Sequence, residues 1–344
     1  MLKESQNVHQ RSDVFQDSQS SSVRSCWGVW GYYCQWLAQV NISVFFCKEV
    51  TAMARPSSIS KPAYEELRKR GVNAIVVDLD KPEIEIANTL RGFEIVVASV
   101  HPAGIASQIT LARAAKLAGV QRFIPSAFAM AVSPTAKSSV QKTKELVYAE
   151  LRAIDLPFTI IDVGWWYHGF IPQLASWRTD YTVVLPEFLR NLVPGDGNMP
   201  THVVDCADIG KLIPRIIVDP RTINQKVMAS SATMSFNEMF AIAEELSKEK
   251  VMKKDISAQE LQSMIADFDA QLQGSPQNAL AAIGKFCLEY YYSSFIDGDN
   301  SPDGVSRLGY LLAADLYPDF QPASFQDFLL EVFKGDIWIP YSGR

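Results

Sequence analysis

The sequence has no surplus of positive charge, no paired cysteine or histidine ligands, and no long unbroken apolar run. Lys and Arg number 32 against 38 Asp and Glu, a net charge of −6 with His neutral. Proteins that grip phosphate backbones need a basic face. The one basic run, "LRKRG" at residues 67–71, reads as a solvated helix end, so no nucleic-acid partner is expected. Five cysteines, an odd number without C-x-x-C or Cys/His spacing, argue against a disulfide framework and a structural metal, and for a reducing compartment. Residues 1–24 are polar and lack an apolar signal core, which reads as a disordered tail and not a secretory leader. The apolar stretch after them is broken by Gln35, Gln39, Asn41 and Ser43. It falls short of the ~20 apolar residues of a membrane span, so a cytoplasmic protein without a membrane partner is expected.

What is present is a regular alternation. With 344 residues and 48% apolar content, the chain has room for one large α/β domain with an appendage, or for two domains. "KEVTAMAR", "VNAIVVDLD", "FEIVVASV", "VQRFIPSAF" and "PFTIIDVGWW" read as strands. Between them, "SKPAYEELRKRG", "PEIEIANTLRG", "GIASQITLARAAKLAG" and "AKSSVQKTKELVYAELRAI" read as helices, three of them stopped by Gly71, Gly92 and Gly119. Val/Ile-rich runs alternating with helices of about ten residues or more mark βαβ units around a parallel sheet. Beyond Trp166 the pattern loosens into loops and long helices, two of which open on the capping boxes "SFNE" and "SAQE". The fold class is α/β: a Rossmann-type doubly wound parallel sheet with a smaller, mainly helical substrate domain. Residues 25–165 and 200–231 are assigned to the dinucleotide-binding part, residues 166–199 and 232–344 to the substrate part.

Ligands in such sheets bind at the carboxyl ends of the strands. The second strand ends in Arg55, followed by Ser57, Ser58 and Lys61. An Arg here accommodates the 2′-phosphate of NADP and grips it bidentately; the competing reading is a solvated loop arginine. NADPH is the expected cofactor. Asp78 and Leu79 close the third strand, Ser99, Val100 and His101 the fourth, and Ser126 and Phe128 follow the fifth, where adenine, ribose and nicotinamide would lie. His101 reads equally as a locally bonded loop residue. Lys137, Lys142 and Lys144 lie along one helix, near the border of its apolar face. A lysine held over a cofactor binds ribose hydroxyls and, with its pKa lowered, donates a proton; each of the three also reads as a solvated helix lysine. "GWWYHG", with Trp165, Trp166, Tyr167 and His168, reads either as an aromatic-lined substrate pocket or as core aromatics at a domain junction.

Together "MARPSSISKP…EELRKRGV", "AAKLAGVQRFIPSAF", "KTKELVYAELRAIDLPFTII" and "DIGKLIPRIIVDPRTINQKV" resemble the NmrA-like and isoflavone-reductase-like group of atypical short-chain dehydrogenases/reductases. "SFNEMFAIAEELS" and "LYPDF" resemble its fungal branch. The resemblance covers residue 48 to the end and implies an NADPH-binding Rossmann domain with a small substrate domain. It implies that the phosphate-binding Arg is Arg55, the active-site Lys is Lys144 (Lys142 if the register slips), and the aromatic beside the nicotinamide is Trp166. Two functions follow from it. One is NADPH-dependent reduction of a small aromatic or other secondary metabolite. The other is non-catalytic, NADP-binding regulation of the NmrA type, with a protein partner. Where the family often has "PSEFG", this chain has Pro125, Ser126, Ala127, Phe128 and Ala129.

The largest departure comes first in the chain. The family carries a G-x-x-G-x-x-G turn after strand one, where glycines admit the pyrophosphate to a helix N-terminus. Here residues 26–47 hold six Trp or Cys, as many as the rest of the chain together. Codons for these residues begin with TG. Read one nucleotide downstream from Trp27, codon degeneracy forces G-x-x-G-x-[IT]-[IT]-[VA]-[NS]-G-x-x-[KR]. Residues up to about 47 therefore read as an out-of-frame or mis-spliced nucleotide loop, the alternative being a divergent loop in a degenerate paralogue. As translated, Tyr32 and Tyr33 stand where close backbone approach is required. Weak NADPH binding and a disrupted first strand are expected.

Overall fold

A computed structural model of the chain describes residues 24–29, 49–182, 184–335 and 337–339. Of the stretch up to about residue 47 read as an aberrant nucleotide loop, residues 30–47 lie outside the described residues. The first strand is not disrupted. β1 (Arg24–Val29) pairs in parallel with β2 (Glu49–Ala54) on one side and β4 (Ile95–Ser99) on the other. β3 (Asn73–Val76) flanks β2, and β5 (Arg122–Ile124) flanks β4, giving the order β3-β2-β1-β4-β5. A parallel bridge between Phe123 and Phe158 carries the sheet on to β6 (Thr159–Asp162). The order reverses direction between β1 and β4, and that switch point is where ligands of doubly wound sheets settle.

Helices cover both faces, which is why strands such as β4, buried at every position, read as continuous apolar runs. α1 (Pro62–Lys69) buries Tyr64 and Leu67 on one face. α2 (Glu83–Leu90), α3 (Gln108–Ala118) and α4 (Ser139–Ala153) bury Ile86, Leu90, Leu111, Ala115, Val147 and Leu151 on the other. Gly119 ends α3 with φ +79°, a left-handed cap that glycine adopts without strain.

Beyond β6 the chain builds two further short sheets and returns to the main one. β7 (Trp165–Trp166) and β9 (Thr201–Val204) run in parallel, while β8 (Leu192–Pro194) pairs elsewhere. α5 (Cys206–Val218) joins α1 on its face through Ile209, Leu212, Ile213 and Ile216. β10 (Gln225–Met228) extends the main sheet beside β6, and β11 (Ala232–Met234) pairs antiparallel with β9. α6 (Phe236–Ser247), β12 (Lys254–Ile256, the partner of β8), α7 (Ala258–Gly274) and α8 (Ala279–Tyr291) form the helical part. α8 runs into a π-helical turn at Tyr292–Ile296. α9 (Pro302–Arg307) leads to β13 (Tyr310–Leu312), which closes the sheet beside β10. α10 (Ala313–Leu316) and α11 (Phe325–Lys334) follow. Both capping boxes form, at Ser235/Glu238 and Ser257/Glu260.

The helical part has its own aromatic core and is stitched to the sheet. Trp165 stacks on Phe295 at 5.8 Å and meets Tyr290 and Tyr291 edge-on. Asn300 accepts from Ala131 N (3.0 Å) and donates to Thr201 Oγ1 (2.8 Å) and His202 O (2.9 Å), while its own carbonyl accepts from His202 N (3.0 Å). Asp299 accepts from Ser133 N at 3.0 Å. Gly164 has φ +76°, and a Cβ there would lie 2.3 Å from His202 O, so this contact between the β6–β7 link and β9 requires glycine.

Candidate active site

Residues of the expected site fall into three groups along the carboxyl edge of the sheet. Arg55 leaves β2 exposed, at a turn in which Ser58 N donates to Arg55 O (2.9 Å) and Lys61 N to Ser58 O (3.0 Å). Ser57 and Lys61 are exposed, and Ser58 is half-buried. Lys61 is the residue before α1, so two cations flank a helix start, a geometry suited to an anion. Asp78 and Leu79 are half-buried, and Asp78 caps its own turn by accepting from Asp80 N at 3.1 Å.

The second group sits at the ends of β4 and β5. Ser126 is buried and fully engaged. Its Oγ accepts from Val100 N (3.1 Å) and donates to Val100 O (3.3 Å), and its N donates to Gln108 Oε1 (2.7 Å). Ser126 thereby ties the turn after β5 to the end of β4 beyond Ser99. Phe128 is buried with φ +38°, a conformation uncommon outside glycine. It is held there by Phe128 N donating to Ile161 O at 2.8 Å. His101 does what a local loop residue does: its Nδ1 accepts from Ala103 N at 3.3 Å.

Of the three lysines, Lys137 and Lys142 are exposed and Lys144 is buried at 3% exposure. Its Nζ donates to Ala127 O at 3.4 Å and lies 6.0 Å from the centre of the Tyr290 ring. α4 is set in place from outside: Ser138 caps it, and Glu289, beside Tyr290, accepts from Ser139 N and Oγ, both at 3.0 Å. Burial works against the Lys144 charge, but Tyr290 and Asp162 outweigh it and raise its pKa above the ordinary lysine value. The lowered pKa expected from the sequence is not found, because the carboxylate and phenol brought in by other elements oppose desolvation.

"GWWYHG" divides. Trp166 is half-buried against the cluster that contains Phe128. Tyr167 is fully buried, its hydroxyl donating to Ala323 O (3.0 Å), with Phe325 and Phe328 against its ring. His168 bonds through Nε2 to the carbonyl of Trp338 (3.0 Å), and burial lowers its pKa to about 4. Trp165 donates to Ser294 Oγ at 3.0 Å. Of the four aromatic or imidazole side chains, Trp166 alone is partly open.

Three residues not anticipated join this region: Tyr290 and Asp162, which act on Lys144, and Tyr310, which donates to Asp162. Asp162 ends the apolar strand "PFTIID", and a lone acid at that position was the available signal. The tyrosines lie well over 100 residues further along the chain. Among the described residues no His/Cys/Asp/Glu group fits a metal ion, and no helix is long and apolar enough to cross a membrane.

A model of the NmrA-like family matches residues 32–329. The chain is 34% identical over 288 residues to asnovolin J 5′,6′-dehydrogenase of Aspergillus novofumigatus, covering 83% of this chain and 88% of that protein. It is 25% identical to a phenylcoumaran benzylic ether reductase of Nicotiana tabacum, covering 81% and 88%. Among solved structures it resembles the leucoanthocyanidin reductase–NADPH complex from Vitis vinifera, with a TM-score of 0.72, 20% identity, and coverage of 90% and 99%. An isoflavone reductase aligns with a TM-score of 0.71 at 20% identity, covering 90% and 99%.

Proposed function

We propose that this chain, which belongs to the NmrA-like family, is an NADPH-dependent oxidoreductase acting on a small aromatic or other secondary metabolite. The observation that carries the reading is Lys144. It is the one lysine of its helix drawn into the carboxyl edge of the sheet, in a chain 34% identical to a fungal dehydrogenase. The described residues fit the cofactor: Arg55 and Lys61 present cations beside the switch point. In this reading Arg55, Ser57, Ser58 and Lys61 hold the 2′-phosphate, and Asp78 and Leu79 border the adenine. Ser99, Val100, Ser126 and Phe128 shape the ribose and nicotinamide side. When bound, NADPH supplies the hydride. Lys144, charged, donates hydrogen bonds at the sheet edge and supplies a proton to the reduced substrate. Trp166 borders the substrate, and Tyr167 and His168 hold the wall behind it. The division into cofactor and substrate parts belongs to the same proposal, as does a cytoplasmic setting.

A second reading, which the family resemblance supports, is a non-catalytic NADP-binding regulator with a protein partner; the observation that weighs against turnover is the nucleotide segment. Residues 30–48 contain a single glycine, Gly31, where the family's turn needs several. Under either reading that segment weakens NADPH binding. The test is NADPH consumption with a panel of aryl-conjugated phenolic metabolites. Metabolite-dependent turnover that falls about 10²-fold or more in Lys144→Ala supports the enzyme. An intact fold that binds NADPH without turnover supports the regulator. Calorimetric NADPH binding in the micromolar range or tighter would overturn the weakened-binding reading.

A further inference from the structure

At the carboxyl end of β6, Asp162 is 4% exposed, and its two oxygens have different surroundings. Oδ2 accepts a 2.6 Å hydrogen bond from Tyr310 Oη, whereas Oδ1, equally enclosed, has no hydrogen-bond partner. A buried carboxylate with an unused oxygen is costly unless a countercharge faces it. The backbone brings one cation into this neighbourhood. Phe128 N donates to Ile161 O and Val163 N donates to Ala129 O, both at 2.8 Å. The 127–129 turn is therefore laid along Ile161–Val163, on either side of Asp162. Lys144 Nζ donates to Ala127 O of that turn.

We propose that Asp162, clamped by Tyr310, is a positioning residue for Lys144, the buried countercharge that holds its ammonium against the 127–129 turn. The inference rests on the reading of Lys144 as the reaction-site lysine. Five titratable groups interact with Asp162. Lys144 and Lys226 are the cations, the latter 5.5 Å from the Tyr310 ring. Tyr310, Tyr148 and Tyr290 are the phenols, and Glu145 on α4 acts on Lys144, Tyr148 and Tyr310 in turn. Tyr290 and Asp162 together keep the proton on Lys144 in spite of burial, while burial raises the Asp162 pKa against the opposing effects of Lys144, Tyr310 and the Ala129 backbone.

The test is a double-mutant cycle on the full chain with Lys144→Met, Asp162→Asn and the double variant, read as urea midpoints between pH 7 and 11. Each single change lowers the midpoint by stranding a buried charge, and the double variant loses less than the sum of the two. Lys144 has a raised folded-state pKa, so its contribution is present at lower pH and lost as pH rises through that value. In the Asp162→Asn background the loss moves down by about one pH unit or more, a tenfold fall in proton affinity. Tyr310→Phe, which keeps both charges, moves it in the same direction by less, and carries the test if Asp162→Asn does not fold. Additive midpoints with an unmoved titration overturn the proposal. Additive midpoints together with lost turnover in Lys144→Met overturn it while leaving the oxidoreductase reading standing. Coupled midpoints with unaffected turnover support the pair and remove Lys144 from the reaction.

Discussion

Replacing Arg122 by Met removes the polar joint between the two strands that carry the site. The guanidinium, 5% exposed in β5, donates to Thr159 Oγ1 (3.0 Å from Nε), Ile217 O (2.7 Å) and Asp219 O (3.0 Å), and also to Thr222 Oγ1. The four acceptors do not lose equally. Thr159 Oγ1 also donates to Thr222 O (2.6 Å), and Thr222 Oγ1 to Ile216 O (2.8 Å), so both hydroxyls keep a partner. Thr222 Oγ1 also donates to Asp219 O at 3.0 Å, so that carbonyl is not wholly stranded. Ile217 O, near the C-terminus of α5, is stranded. One full orphan and one weakened acceptor, at about 1–3 kcal/mol each, bound the loss at about 2–6 kcal/mol. Burial already lowers the Arg122 pKa to about 10, and removing that desolvated charge returns part of the loss, which places the expectation near 3 kcal/mol. Arg113 is the control. Its bond to Glu150 is equally short (2.7 Å), but its side chain is 47% exposed and screened by solvent, so Arg113→Met is expected to lower stability far less than Arg122→Met. Urea unfolding of the two variants beside wild type measures both. An Arg122→Met loss no larger than that of Arg113→Met would refute the reasoning.

Gly164→Ala sets a side chain against His202 O at a left-handed residue and is expected to cost about 3 kcal/mol or more, or to prevent folding; soluble yield and the thermal midpoint report it. Burial depresses the His168 pKa from 6.5 to about 4, so its folded state resists protonation. The stability this represents is present above pH 6.5 and is lost as pH falls toward 4, by at most about 3 kcal/mol, and His168→Gln should flatten that part of the stability–pH curve. Arg55→Ala is expected to weaken NADPH binding about tenfold or more while leaving NADH binding unchanged, as competitive titration of the two dinucleotides would show. Equal loss for both would remove Arg55 from the 2′-phosphate.

The sheet was legible because its strands are buried on both faces and so carry unbroken Val/Ile runs, of which "EIVVAS" is the plainest. Helix ends were legible where glycine or a capping box marks them, as at Gly119 and Ser235. The choice among Lys137, Lys142 and Lys144 was not. Lys137 precedes the helix, which starts at Ser139 and not at the expected Ala136, and of the two lysines within it Tyr290 and Asp162, from separate elements, surround Lys144. "GWWYHG" was undecidable for the same reason: Phe295, Phe325 and Phe328 turn it mostly into core from well over 100 residues away. α8 passed unnoticed because "NALAAIGKFCLEYYY" spreads apolar residues around the helix without a clear stripe.

Asn300 has a mechanical consequence. It exchanges hydrogen bonds with Ala131, Thr201 and His202, so it pins the sheet edge, the short sheet and the helical part at one place. A pinned joint permits rotation and resists separation. Separating the three segments at that point therefore breaks all four bonds together, beside the further ties of Ser133 to Asp299 and of Ser139 to Glu289.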